Sequence, residues 1–163
     1  KTRWHWPAAL AAGLLLAVGA ASVTWQLRPG WDNVEEYVVD HYRHDGPGLL
    51  ARPVPSDSAR ARELLAEFEL DAAPRLADII GVIKVCPTPD GRGIHMVLNT
   101  ETGPLTVIYM PRTPVTDGAR LAFDDLEAML VDLPSGSAAI IGQEVENYYA
   151  LVHDSLRPLA GGP

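Results

Sequence analysis

The longest run of apolar positions lies at the start of the chain. Residues 6–25 contain no charged side chain, and twenty helical residues at a rise of about 1.5 Å each span the hydrocarbon core of a bilayer. Indole rings prefer the two membrane–water interfaces, and tryptophans flank this run on both sides: Trp4, Trp6, Trp25 and Trp31. The pattern predicts one transmembrane helix and the lipid bilayer as a partner.

The charges on either side of this run predict its orientation. Lys1 and Arg3 precede it, whereas Asp32, Glu35 and Glu36 follow it. Because basic residues collect on the cytoplasmic side, we expect a cytoplasmic N-terminus and a C-terminal domain on the outer, periplasm-like side. A cleaved signal peptide is the alternative, since the small residues at 19–21 suit a signal peptidase.

Small residues recur at every fourth position of the run. They are Ala9, Gly13, Ala17 and Ala21. Residues four apart share one face of a helix, and small residues let a second transmembrane helix approach closely. The stripe therefore predicts other transmembrane subunits as partners, and the alternative is an alanine-rich composition without a packing role.

Three stretches of the remaining chain have helical spacing. Asp32 and Asn33 are good N-caps for a helix over about 33–44, which the glycines and proline at 46–48 are expected to end before an irregular connection to Pro55. Caps at 56–58 precede a second helix whose apolar face is Leu64, Leu65, Phe68 and Leu70. Residues 74–77 suggest a short helical turn, and a closing helix is predicted over about 144–156.

The segments between these helices have the composition of strands. Strands are predicted at 79–86, 94–98, 105–110, the end of 121–133, and 138–142, although 121–133 also fits a helix. Taking Asp90-Gly91 as a two-residue hairpin loop makes Cys86 face His95. The register also places Lys84 on the face that carries Cys86 and His95.

The predicted fold class is α+β, with one N-terminal transmembrane helix followed by an antiparallel meander of about five strands that has helices on one face. The predicted segments are a membrane anchor over 1–31, a juxtamembrane helix and Pro-rich connection over 32–56, and a periplasmic domain over 57–163.

The acidic net charge of the chain narrows the classes of partner that we expect. The chain carries a formal charge of −8 and no cluster of basic residues, so nucleic acid is an unfavourable partner. An acidic chain is also repelled by anionic headgroups, so membrane attachment must come from apolar burial. A single cysteine excludes an intramolecular disulfide.

Cys86 and His95 form the sharpest candidate for chemistry. A thiolate and an imidazole that face each other across a hairpin can activate the thiol or share a metal. Zinc requires further ligands, for which His41, His44 or His153 would have to arrive from helices. The alternative is a half-buried structural cysteine, and we expect neither a cofactor nor a catalytic residue.

Other residue types allow weaker interpretations. His41 and His44 are three apart, which suits a surface metal or pH-sensitive patch as well as ordinary solvated histidines. Four residues are of the types that hydrolases use, without the Gly-x-Ser-x-Gly turn that presents a nucleophile: Ser135, Ser137, His153 and Asp154. The glycines at 91 and 93 join two strands and open no helix, so turn geometry explains them better than phosphate binding.

Several adjacent residues resemble a proteobacterial family of inner-membrane proteins of unknown function. They are the segments 85–91, 94–97, 103–111 and 136–142. The resemblance covers roughly residues 35–157 and implies the layout of a membrane-bound anti-sigma factor, with a cytosolic segment, one helix and an outer sensing domain. The chain departs from that layout because Lys1 lies almost at the helix, so either a segment is absent or the role differs.

These patterns predict a non-catalytic accessory subunit of an inner-membrane complex, which interacts through its periplasmic domain. A periplasmic sensor half of an anti-sigma-factor-like regulator is one alternative. A thiol- or metal-dependent enzyme that uses Cys86 with His95 is the other.

Overall fold

A computed structural model of the chain describes residues 31–51 and 57–160. The chain divides into two units, Lys1–Trp31 and Asp32–Pro163, and the second unit contains all the elements discussed below. The predicted anchor lies outside the described residues, with its stripe and with Trp4, Trp6 and Trp25, and so does the connection at 52–56. Within the two described ranges, no helix has both the length and the apolarity needed to cross a membrane.

The described residues form four helices and eight strands, which confirms the α+β class. The helices are α1 (Val34–Leu50), α2 (Ser58–Ala66), α3 (Pro74–Ala77) and α4 (Glu146–Ser155). The strands are β1 (Leu70–Ala72), β2 (Ile80–Thr88), β3 (Gly91–Thr100), β4 (Gly103–Met110), β5 (Arg120–Phe123), β6 (Leu126–Leu133), β7 (Gly136–Gly142) and β8 (Leu156–Pro158).

The main sheet is antiparallel, six-stranded and ordered β2-β3-β4-β7-β6-β5. The predicted meander of about five strands was therefore wrong in its order, because β4 pairs with β7 rather than with the next strand along the chain. Both β4 and β7 are buried along almost their whole length, and continuous apolar runs of this kind favour central positions. β1 and β8 form a separate two-stranded sheet that the pattern did not predict.

The ambiguous stretch at 121–133 contains a hairpin. The strand expected at the end of this stretch is β6. β5 comes before it in the chain, and the two strands are joined by a turn that contains Asp124, whose φ is 52°. Aspartate tolerates this left-handed conformation better than most residues. The two strands pair with Phe123 opposite Leu126.

The register of the first hairpin differs from the predicted one by two residues. Cys86 lies opposite Gly93, and Lys84 lies opposite His95. β2 extends through Pro87 because it is an edge strand, where a missing N–H need not break a ladder. A shift of two positions preserves the face of every side chain, so Lys84, Cys86 and His95 share one face as predicted.

α1 runs past the glycines and proline that were expected to stop it, and ends at Leu50. Asn33 caps its start by accepting a hydrogen bond from the Glu36 amide at 2.7 Å. Gly46 is buried, and a Cβ there would lie 2.7 Å from the Tyr42 ring. Close packing of this turn therefore offsets the loss of the backbone hydrogen bond that Pro47 cannot donate.

Helices cover both faces of the sheet, so the prediction of helices on one face was wrong. One face carries register partners from four strands, His95, Ile108, Ala139 and Leu130, and α1 packs against it. The other face carries Ile94, Tyr109, Ala138 and Val131, which belong to the main apolar core with residues of α2, α3 and α4. Both faces need cover because the central strands are apolar on both.

Candidate functional site: a buried histidine pair

Two histidines meet where α1 crosses the sheet. His41 Nε2 lies 3.2 Å from His95 Nδ1, and the ring centroids are 5.2 Å apart. His95 is fully buried on β3, and only 5% of His41 is exposed on α1. Tyr37, His41 and Asp45 are spaced four apart, so helical periodicity directs all three toward the sheet.

A lysine and an aspartate complete the cluster. Lys84 Nζ lies 2.7 Å from Asp45 Oδ2, and the same oxygen lies 3.8 Å from His41 Nε2. Burial alone would raise the pKa of Asp45, but the hydrogen bond and positive charge of Lys84 outweigh it and lower that pKa. The aspartate is therefore ionised beside two imidazoles at neutral pH.

Both imidazoles are neutral at neutral pH. Burial lowers the pKa of His95 to about 3, and the electrostatic effects of His41, in its protonated form, and of Lys84 act in the same direction. Burial also lowers the pKa of His41, although Asp45 partly opposes it. Neutral imidazole is the form that ligates metals, because its lone pair is free.

One ring nitrogen of His95 has no hydrogen-bond partner among the described residues. The atom is Nε2, which is buried. If His41 Nε2 donates the shared proton, His95 Nε2 carries an N–H without an acceptor, and in the reverse arrangement it is a bare acceptor. A buried polar group left unpaired costs about 1–3 kcal/mol, so packing around His95 must offset this cost.

Cys86 lies on the same face but takes a different role. The buried thiol is opposite Gly93 rather than His95, and burial raises its pKa to about 11. Tyr37 Oη donates a hydrogen bond to the Pro87 carbonyl at 2.9 Å, and its ring stacks on His41. A protonated thiol is a poor nucleophile, so the geometry does not favour the predicted thiol–imidazole dyad.

Three ligating groups come together in the described part of the chain. One atom each from His41, Asp45 and His95 lie within 4.8 Å of one another, and Cys86 is not part of this group. Of the helical histidines proposed as additional ligands, the structure brings only His41 to His95. His44 is exposed on α1, and His153 pairs with Asp154 at 2.8 Å on α4.

Of the four residues of hydrolase type, Ser137, His153 and Asp154 make other hydrogen bonds, and the buried Ser135 Oγ has no hydrogen-bond partner among the described residues. Ser137 Oγ donates to the Thr113 carbonyl at 2.6 Å, and His153 stacks on Tyr149. Arg92, between the two glycines of β3, lies over the Phe68 ring at 5.7 Å. None of these contacts assembles a nucleophile with a base.

The sequence reasoning missed Asp45 and Lys84 as members of the site. The spacing of His41 and Asp45, four residues apart on a helix, was the available signal, since such pairs lie on one face. Lys84 was placed on the correct face, but its partner comes from α1, whose docking no local pattern specifies.

No protein-family model, curated protein or solved structure matches this chain.

Proposed function

We propose that this chain is a non-catalytic accessory subunit of an inner-membrane protein complex, anchored by residues 6–25 and interacting through the domain that follows. The observation that carries the proposal is the uncharged run between flanking tryptophans. The run is followed within nine residues by α1. Other transmembrane subunits are the proposed partners, and the periplasmic side is the proposed location of the domain.

The attachment of α1 to the sheet supports a tethering role. Lys84 and Asp45 join β2 to the helix, and Arg43 pairs with Asp124 at 2.9 Å beside β5. Tyr42 also meets the Phe123 ring edge-on at 5.7 Å. These contacts attach the turn at residues 42–45 to the sheet, so the element that follows the proposed anchor is packed as part of the domain.

The test is recovery of partners after extraction in a mild detergent. A tagged full-length chain should remain in the membrane fraction after alkaline washing and should co-purify with other membrane proteins. Alkaline phosphatase fused after residue 163 should be active, because the enzyme requires the periplasm. A chain that is washed off at alkaline pH, or that elutes alone as a monomer, contradicts the proposal.

A matched pair of variants tests the small-residue stripe. Ala17→Leu places a large side chain on the proposed helix contact and should reduce partner recovery, because small residues permit close approach. Ala11→Leu makes the same change off the stripe and should not. Equal recovery of partners with both variants would show that the stripe is not part of the interface.

A sensor half of a transmembrane regulator is a second candidate, favoured by the buried cluster of ionisable groups between α1 and the sheet. The discriminating observation is the coding sequence upstream of Lys1. A cytosolic segment that binds a sigma factor in a pull-down would support the regulator, and an initiating Met within a few residues would exclude it.

A further inference from the structure

We propose that His41, Asp45 and His95 form a binding site for a divalent transition-metal ion, with Zn²⁺ as the best fit, between α1 and β3. This proposal goes beyond the accessory role and does not depend on it. The ligand set of two imidazoles and one carboxylate is a combination that zinc accepts, with a further position open to water.

The distances within the cluster fit one small ion. Zinc binds imidazole nitrogens and carboxylate oxygens at about 2.0–2.2 Å, so two ligands of one tetrahedral ion lie roughly 3.3 Å apart. The two imidazole nitrogens are 3.2 Å apart, and Asp45 Oδ2 lies 3.8 Å from the nearer one. Asp45 is the most exposed of the three, so a small rotation of its side chain closes the remaining gap.

The donor atoms of the cluster also suit a cation, because imidazole nitrogens and a carboxylate oxygen are ligands that zinc accepts. Each imidazole keeps its single proton on the nitrogen remote from the ion, so binding requires a tautomer shift and no net proton loss. For His95 the remote nitrogen is Nε2, which has no hydrogen-bond partner among the described residues and would carry the N–H in the metal-bound tautomer.

Lys84 would compete with the ion. Lys84 Nζ lies 2.7 Å from Asp45 Oδ2, and its positive charge repels a metal ion that approaches the same carboxylate. The side chain is 37% exposed, so it can turn into water when the ion arrives. Replacing Lys84 by glutamine should therefore strengthen metal binding by about tenfold.

The test is a zinc titration of the full chain, purified in detergent without a polyhistidine tag and stripped of metal by a chelator. Calorimetry with Zn²⁺ should show one ion per chain, bound in the micromolar range or tighter. Co²⁺ should give the intense visible absorption of a tetrahedral site. Thermal stability should rise with ion concentration, because the ion binds only the native state.

Variants distinguish this site from other histidines. His41→Gln and Asp45→Asn should each weaken zinc binding by at least about tenfold, whereas His44→Gln, on the same helix but exposed, should leave it unchanged. Circular dichroism without metal checks folding, and Asp45→Asn keeps the test valid if His41→Gln unfolds. No saturable binding by the parent chain, unaltered binding by the folded variants, or loss of binding in His44→Gln would overturn the proposal.

Discussion

His41 Nε2 lies 3.2 Å from His95 Nδ1, and this contact joins the first helix of the domain to an inner strand of the sheet. The two residues are separated by 54 positions in the chain. Because both rings are buried, each depends on the other for a hydrogen bond that water cannot replace. Their interaction is therefore measurable as a coupling free energy.

A double-mutant cycle on His41→Phe and His95→Phe should show this coupling. Each single replacement leaves the remaining imidazole unpaired, which costs about 1–3 kcal/mol, while the double replacement removes both polar groups. The sum of the two single losses should exceed the loss in the double variant by about 1 kcal/mol or more. Denaturant unfolding with a chelator present measures it, and simple additivity would contradict the contact.

Gly93 tests the close approach of β3 to β4. A Cβ at this position would lie 2.2 Å from the Tyr109 carbonyl oxygen, so Gly93→Ala should destabilise the domain by about 1–3 kcal/mol. Gly48→Ala is the control, because no described residue outside its own helical turn lies within 4 Å of a Cβ there and alanine favours a helix by about 0.5–1 kcal/mol. Thermal melts of the two variants should shift in opposite directions.

The Cys86 thiol should react slowly at neutral pH. Burial raises its pKa to about 11, so the thiolate is scarce in the native state and alkylation by iodoacetamide should be far faster after unfolding. An acid whose pKa is higher in the folded state loses its stabilising contribution as pH rises. The pH window for that loss runs from about 9 to about 11, and Cys86→Ser should reduce the slope of stability there. Fast native labelling at pH 7 would contradict the burial.

Asp117 should stabilise the loop before β5 in its ionised form. Its pKa is lowered by the hydrogen bond from the Asp132 amide, and Tyr149 Oη donates a further hydrogen bond to the same carboxylate at 2.8 Å. A carboxylate with a lowered pKa contributes stability above its unfolded pKa and loses it as pH falls through the folded value. Asp117→Asn should therefore lower stability at pH 7 and have little effect in acid. Asp125→Asn is the control, because the Asp125 side chain makes no hydrogen bond within the described residues. Equal effects of the two variants would contradict the stabilising role of the Asp117 carboxylate.

Local patterns were sufficient to predict most elements and the faces of their side chains. Side chains alternate along a strand with period two, so Lys84, Cys86 and His95 were placed together even though the register was two residues off. The cap at Asn33 was also visible locally, because a polar side chain before a helix satisfies its free amides. Those inferences depend on neighbours in the chain and needed no knowledge of the fold.

The amino-acid sequence by itself determined the α+β class, the approximate positions of its helices and principal strands, and the uncharged run at residues 6–25. Only the tertiary structure decided that β4 pairs with β7, that α1 continues through Pro47, and that His41 reaches His95. The physical reason is that strand order and helix docking depend on packing between segments far apart in the chain. Alternation and helical spacing report which side of an element is apolar, but not which distant element covers that side.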